Sequence, residues 1–228
     1  MGLATPKFDM QYSIEKYKYV LFDCDGVLMD SNRLKTQAFG LVADYFSPKH
    51  SQELMDYHSS RGGISRNEKF LYFFETILGQ TNFQEDYEHA LELYNQTVVQ
   101  GLIEANLLPG VEALLDSCRD KVRIVLSGGN QEELHHVFQV RDLAERFRYI
   151  WGSPINKQEH LARAFEEGIL ETPAVFFGDS RYDYQAAQEF GLDFVFVSLK
   201  TEVEDWEGWT KKEKITVIRD FKEVVLCK

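Results

Sequence analysis

The chain has 228 residues, 44% of them hydrophobic and 14% aromatic, which is enough apolar material for a packed core and excludes a disordered chain. Its formal net charge is -12, with no Lys/Arg-rich run to offset it, which argues against nucleic acid and anionic membrane as partners. An anionic ligand would have to be met by a local positive site.

The first residues, MGLATPKFDM, lack the basic-then-apolar pattern of a secretory signal, and Pro6 stands where myristoylation after Met1-Gly2 needs Ser or Thr. No apolar run approaches the roughly 20 residues that span a bilayer. Three cysteines, Cys24, Cys118 and Cys227, match no metal-binding spacing, and their odd number suits a reduced compartment. A cytoplasmic protein is expected. No pattern bears on its oligomeric state.

Residues 18–22 (KYVLF) read as a buried strand that runs into Asp23-Cys24-Asp25-Gly26. Helical periodicity follows over 32–46, 50–60, 65–78 and 84–104, with no convincing strand among them. This predicts an all-helical cap over 32–108, inserted into a core made of 1–31 and 109–228. Beyond Pro109-Gly110 come a helix over 110–118 and a strand over 122–126, which ends at Ser127-Gly128-Gly129-Asn130. One helix over 131–147, a short strand over 149–151 and a helix over 157–167 are next. A strand over 174–177 ends at Gly178-Asp179-Ser180, and a helix over 182–190 leads to a strand over 194–197. Residues 201–214, acidic then basic, with Trp206 and Trp209, read as a surface connection before a last strand near 215–218. Strands alternating with helices predict an α/β fold, a Rossmann-like three-layer core with a parallel sheet. Ligands of such sheets bind at the carboxyl ends of the strands.

Every polar cluster sits at such an end: Asp23 and Asp25, Ser127, Lys157, and Asp179 with Asp183. Folding would gather four carboxylates, one ammonium and one hydroxyl. Carboxylates so close need compensation, and an all-oxygen environment suits Mg²⁺. With Mg²⁺ and Lys157 the local sign inverts, and the site becomes a phosphate trap. Cys24, between the two aspartates, should point the other way into the core.

The order Asp-Cys-Asp-Gly-Val, Ser127, Lys157 and Gly-Asp-Ser-Arg-Tyr-Asp resembles the haloacid dehalogenase superfamily, in its helical-cap branch of phosphoglycolate phosphatases and β-phosphoglucomutases. The resemblance spans the chain from about Tyr17 to the last strand. It implies a Mg²⁺-dependent phosphatase acting on a small phosphorylated metabolite, a sugar phosphate being one candidate. It also implies that Asp23 is the nucleophile of an aspartyl-phosphate and Asp25 the general acid and base, protonated when substrate binds. Mg²⁺ would be held by Asp23, the backbone carbonyl of Asp25 and Asp179, with Asp183 orienting metal waters or pairing with Lys157. Ser127 and the Gly128 N–H would hold phosphoryl oxygens, and Lys157 would neutralise charge. The dehalogenases of this superfamily lack an aspartate at the position of Asp25. Where many relatives follow the lysine with proline, Gln158 stands here, so Asn156 or Ser153 would cap that helix instead.

His135 and His136 lie mid-helix without metal-ligand spacing and read as surface or core-edge residues. Arg61 and Arg66 flank Gly62-Gly63 in the cap and read as a substrate-binding loop. Two alternatives are a phosphomutase, in which a sugar hydroxyl replaces water, and a phospho-accepting receiver domain. The latter has no cap of this size and carries its acceptor after a later strand.

Overall fold

The computed structural model of the chain describes residues 12–225. Met1, Gly2, Pro6 and Cys227, on which part of the sequence reading rests, lie outside the described residues. The chain enters through β1 (Tyr12–Ser13) and β2 (Tyr19–Phe22), the latter buried throughout. Then come α1 (Asn32–Phe46), α2 (Ser51–Ser60), α3 (Arg66–Tyr72), extended by a π-turn at Phe73–Ile77, and α4 (Gln84–Glu104). The remainder alternates: α5 (Val111–Ser117), β3 (Val122–Asn130), α6 (Gln131–Val140), β4 (Tyr149–Ser153), α7 (Lys157–Glu166), β5 (Ala174–Gly178), α8 (Arg181–Glu189), β6 (Asp193–Val197), α9 (Trp206–Glu213), β7 (Thr216–Ile218) and β8 (Val224–Val225). No helix among the described residues is long and apolar enough to cross a membrane.

Six strands form one parallel sheet in the order β4-β3-β2-β5-β6-β7, as the alternating pattern predicts. Phe22 lies in register with Val125 on one side and Phe177 on the other. The carboxyl ends of β2, β3 and β5 are therefore adjacent. The strand period of two sorts the side chains onto two cores. Val20, Phe22, Val125, Val175, Phe177 and Val195 face one, which is continuous with Phe39, Phe70 and Tyr94 of the helical insert. Tyr19, Leu21, Ile124, Leu126, Phe176 and Phe196 face the other, beneath α7 to α9. Cys24 and Cys118 are both buried in the first core.

Three elements differ from expectation. The single helix over 131–147 breaks after Val140, because Asp142 takes φ 55° and the Leu143 N–H bonds back to the Phe138 carbonyl at 2.8 Å. That left-handed residue with its six-to-one bond closes the helix, and the chain resumes as a 3₁₀ turn at Ala144–Arg146. Residues 201–214 are not merely a connection. Trp206 and Trp209 share one face of α9, where Trp209, 8% exposed, packs edge-on against Tyr184 and Phe196. The β1–β8 pair, two residues a side, was too short to show as a pattern.

Candidate active site

Asp23 continues the face of Tyr19 and Leu21, so the end of β2 turns it toward α7 and α8. It is 3% exposed, and its Oδ1 accepts from Lys157 Nζ at 2.8 Å. Lys157 opens α7, whose first turn is capped by Asn156, the side-chain oxygen accepting from the Glu159 N–H at 2.9 Å. The same ammonium donates to Asp183 Oδ1 at 2.5 Å. Asp183 is the third residue of α8 and forms a capping box with Ser180. Its Oδ2 accepts from the Ser180 hydroxyl at 2.7 Å and from the Asp179 and Ser180 N–H groups at 3.2 Å. Asp179 accepts from the Asn32 side-chain amide at 2.7 Å, and that amide also donates to the Lys200 carbonyl.

Oxygens of Asp23, Asp179 and Asp183 lie within 4.8 Å of one another. Burial, then repulsion from Asp23 and Asp183, pushes the Asp179 carboxyl well above the usual range. Burial likewise pushes Asp23 up to about 7, against the pull of Lys157. Lys157 itself is held charged, because Asp183 and Asp23 outweigh its burial. With all three carboxylates ionised, one ammonium would leave a net negative charge. A hard divalent cation on oxygen ligands fits this donor set. Asp183 has both oxygens engaged, whereas Asp23 Oδ2 and Asp179 Oδ1 accept no hydrogen bond among the described residues.

Asp25 turns away from this cluster. Its Oδ2 pairs with Lys35 Nζ at 2.5 Å and its Oδ1 accepts from the Ser31 hydroxyl at 2.5 Å. Burial favours the neutral acid, but Lys35 and Ser31 outweigh it and hold Asp25 below the usual carboxylate range. The expected proton on Asp25 concerns the substrate-bound state; in the unliganded protein Lys35 and Ser31, which the reading from Asp23 alone left out, favour the carboxylate. Between the two aspartates and α1 the chain reverses at Gly26, with φ 74°. A methyl group there would also overlap the Asp179 carboxylate and the Asn32 amide, so only glycine fits.

Above Asp23, Asp25 and Asp179 lies a cavity walled by the Gly128-Gly129 loop and by the helical insert. Ser127 is buried beside it, with its Oγ accepting the Gly129 N–H at 3.0 Å. The Gly62-Gly63 turn closes the cavity so tightly that a methyl group on Gly128 would overlap the Gly63 carbonyl. Arg66 lines the cavity, 5% exposed, and bridges insert to core by pairing with Glu133 of α6 and donating to Asn95 of α4. Arg61 is not brought there. It is exposed over the Tyr57 ring, on an adjoining groove. The sequence reading missed Asn32 and Lys35, although they stand one turn apart on α1 just after the acidic turn, a spacing that puts both on one face. It also missed His58, Lys69 and Glu202, which line the cavity from separate elements and carry no local signal.

A model of the haloacid dehalogenase-like hydrolase family matches residues 20–197, well over half of the chain. A phosphorylated carbohydrates phosphatase of Thermotoga maritima is 24% identical over 186 residues, covering 78% of this chain and 83% of that protein. Among solved structures, a hydrolase from Pseudomonas syringae superposes with a TM-score of 0.72 at 18% identity, covering 91% of this chain and 95% of that one. A β-phosphoglucomutase from Clostridium difficile superposes with a TM-score of 0.68, also at 18% identity, covering 91% and 93%. At such identities the two structures establish a shared fold.

Proposed function

We propose that this chain, which belongs to the haloacid dehalogenase-like hydrolase family, is a Mg²⁺-dependent phosphatase of small phosphorylated metabolites working through an aspartyl-phosphate on Asp23. Phosphorylated carbohydrates, the substrates named for the Thermotoga maritima relative, are the leading class. The observation that carries the reading is the Asp23 carboxylate. It borders the cavity, keeps Oδ2 without a hydrogen bond among the described residues, and is fixed through Oδ1 by a buried ammonium.

In this reading Asp23 Oδ2 attacks phosphorus, and the bond from phosphorus to the leaving oxygen breaks. Asp25 gives that oxygen a proton, then takes one from the water that cleaves the acyl phosphate. Since Asp25 rests ionised against Lys35, it acquires its proton only when substrate loosens that pair or the proton crosses the 2.5 Å contact. Lys157 offsets charge gathering on the phosphoryl oxygens, and Ser127 fixes the glycine loop beside them. Asp23, Asp179 and the Asp25 carbonyl would hold Mg²⁺, which when bound supplies positive charge between carboxylates and phosphate. Asp183 serves as positioner of Lys157 and of the start of α8. The insert excludes water and any macromolecular substrate while it is closed.

Phosphate release from p-nitrophenyl phosphate tests the reading. Activity is expected with Mg²⁺, is lost on chelation with EDTA and returns with added Mg²⁺. Full activity in excess EDTA would sink the metal assignment. The closed turn gives a second prediction. Gly128→Ala pushes against the Gly63 carbonyl, so kcat/KM should fall about tenfold while the thermal midpoint stays near that of the parent. An unchanged kcat/KM would mean that this contact plays no part in catalysis.

A further inference from the structure

The helical insert brings three cationic side chains to the cavity, and two are already spent. Lys35 pairs with Asp25, and Arg66 with Glu133 and Asn95. Lys69, on α3, is the exception. It is 2% exposed, and no carboxylate lies within ion-pair distance of its Nζ among the described residues. Its one hydrogen bond among the described residues runs to His58 Nδ1 at 2.7 Å, with the Phe39 ring centroid 5.5 Å away.

An ammonium has only protons to offer, so His58 Nδ1 accepts and the imidazole is neutral, with its proton on Nε2. That nitrogen faces Glu202 Oε2 at 4.0 Å. Glu202 is in turn held by the Thr36 hydroxyl at 2.8 Å. Thr36 thus holds Glu202 on the far side of the imidazole that accepts from Lys69, and two of the ammonium's N–H bonds make no hydrogen bond among the described residues. An ammonium buried against one neutral partner is costly. Burial, then Lys35, pulls Lys69 down to about 7, although Asp25, Glu202 and Glu68 act the other way. An anion beside it would relieve that cost.

We propose that Lys69 receives a second anionic group of the substrate, so that the compound hydrolysed is a small phosphomonoester whose leaving part bears a carboxylate or a second phosphate. This rests on the phosphatase reading above. Matched substrates test it: 3-phosphoglycerate against glycerol 3-phosphate for the carboxylate, and fructose 1,6-bisphosphate against fructose 6-phosphate for the phosphate. The wild type should favour the more anionic member of at least one pair by about 30-fold or more in kcat/KM. That ratio should collapse toward one in Lys69→Met and persist in Lys69→Arg; being a ratio, it cancels any general loss of activity. No preference in either pair, a comparison that needs only the wild type, overturns the proposal. So does a preference that survives in Lys69→Met. Wild-type protein that hydrolyses none of these compounds, nor p-nitrophenyl phosphate, would overturn the phosphatase reading itself and this inference with it.

Discussion

Asp23→Asn lowers turnover of p-nitrophenyl phosphate by about 10³-fold or more, while the protein stays folded. The amide keeps the shape of the side chain, and its oxygen can still accept from Lys157, whose second partner Asp183 is untouched. What is lost is the negative oxygen that forms the bond to phosphorus. The substitution also removes one of three crowded carboxylates. Burial and mutual repulsion hold Asp23 and Asp179 above the ordinary range, so one charge fewer relieves the cluster. Without metal, the thermal midpoint should therefore be equal to or higher than that of the parent. Loss of activity together with unfolding would make Asp23 a structural residue. Ordinary hydrolysis by the variant would rule out the covalent route.

Lys157→Met has the largest expected effect on stability. Its ammonium is the only cation bonded to Asp23 and Asp183 among the described residues, and all three side chains are almost wholly buried. Removing one partner leaves uncompensated charge in the interior, which costs about 3–5 kcal/mol. In a chain of this size that lowers the thermal midpoint by roughly 10 °C. Asp183 also bonds two backbone N–H groups at the start of α8, so the loss should reach that helix. Thermal unfolding with and without Mg²⁺ reads both effects. The destabilisation should be largest in EDTA and smaller with Mg²⁺, because a cation near Asp23 replaces part of the missing charge. Turnover should fall about 10²-fold or more even with Mg²⁺ present. A midpoint equal to the parent's in EDTA would contradict the assignment of Lys157 as the counter-charge.

The sheet and the acidic floor of the cavity were legible because each rests on a local pattern. Short runs such as Tyr19–Phe22 and Ala174–Gly178 are buried on both faces, and each is followed at once by an acid. Strand parity then decides that Cys24 enters the first core while Asp23 lies on the opposite face of the sheet. The Lys35–Asp25 pair was hidden for a different reason. The two residues are ten apart, and only the reversal at Gly26 and the direction of α1 bring them to 2.5 Å, which favours the carboxylate form of Asp25 before substrate binds. The Lys69–His58 contact joins α3 to α2 and depends wholly on helix packing. Arg61 and Arg66 looked equivalent around Gly62-Gly63. Helix α3 begins at Arg66 and turns it inward, while Arg61 ends α2 on the outside. The tryptophans of α9 showed their spacing but not their partners, since Phe196 and Tyr184 lie on other elements.

The central claim is that phosphate passes through a bond to Asp23. Its most direct measurement is rapid acid quenching of wild-type enzyme during turnover of p-nitrophenyl phosphate with Mg²⁺, followed by borohydride reduction and peptide mass spectrometry. Reduction converts an acyl phosphate, but not a free carboxylate, to an alcohol. The expected result is homoserine at position 23 and at no other aspartate, absent when substrate is omitted. Steady turnover with Asp23 unmodified, or with the modification at Asp25 or Asp179, would contradict it.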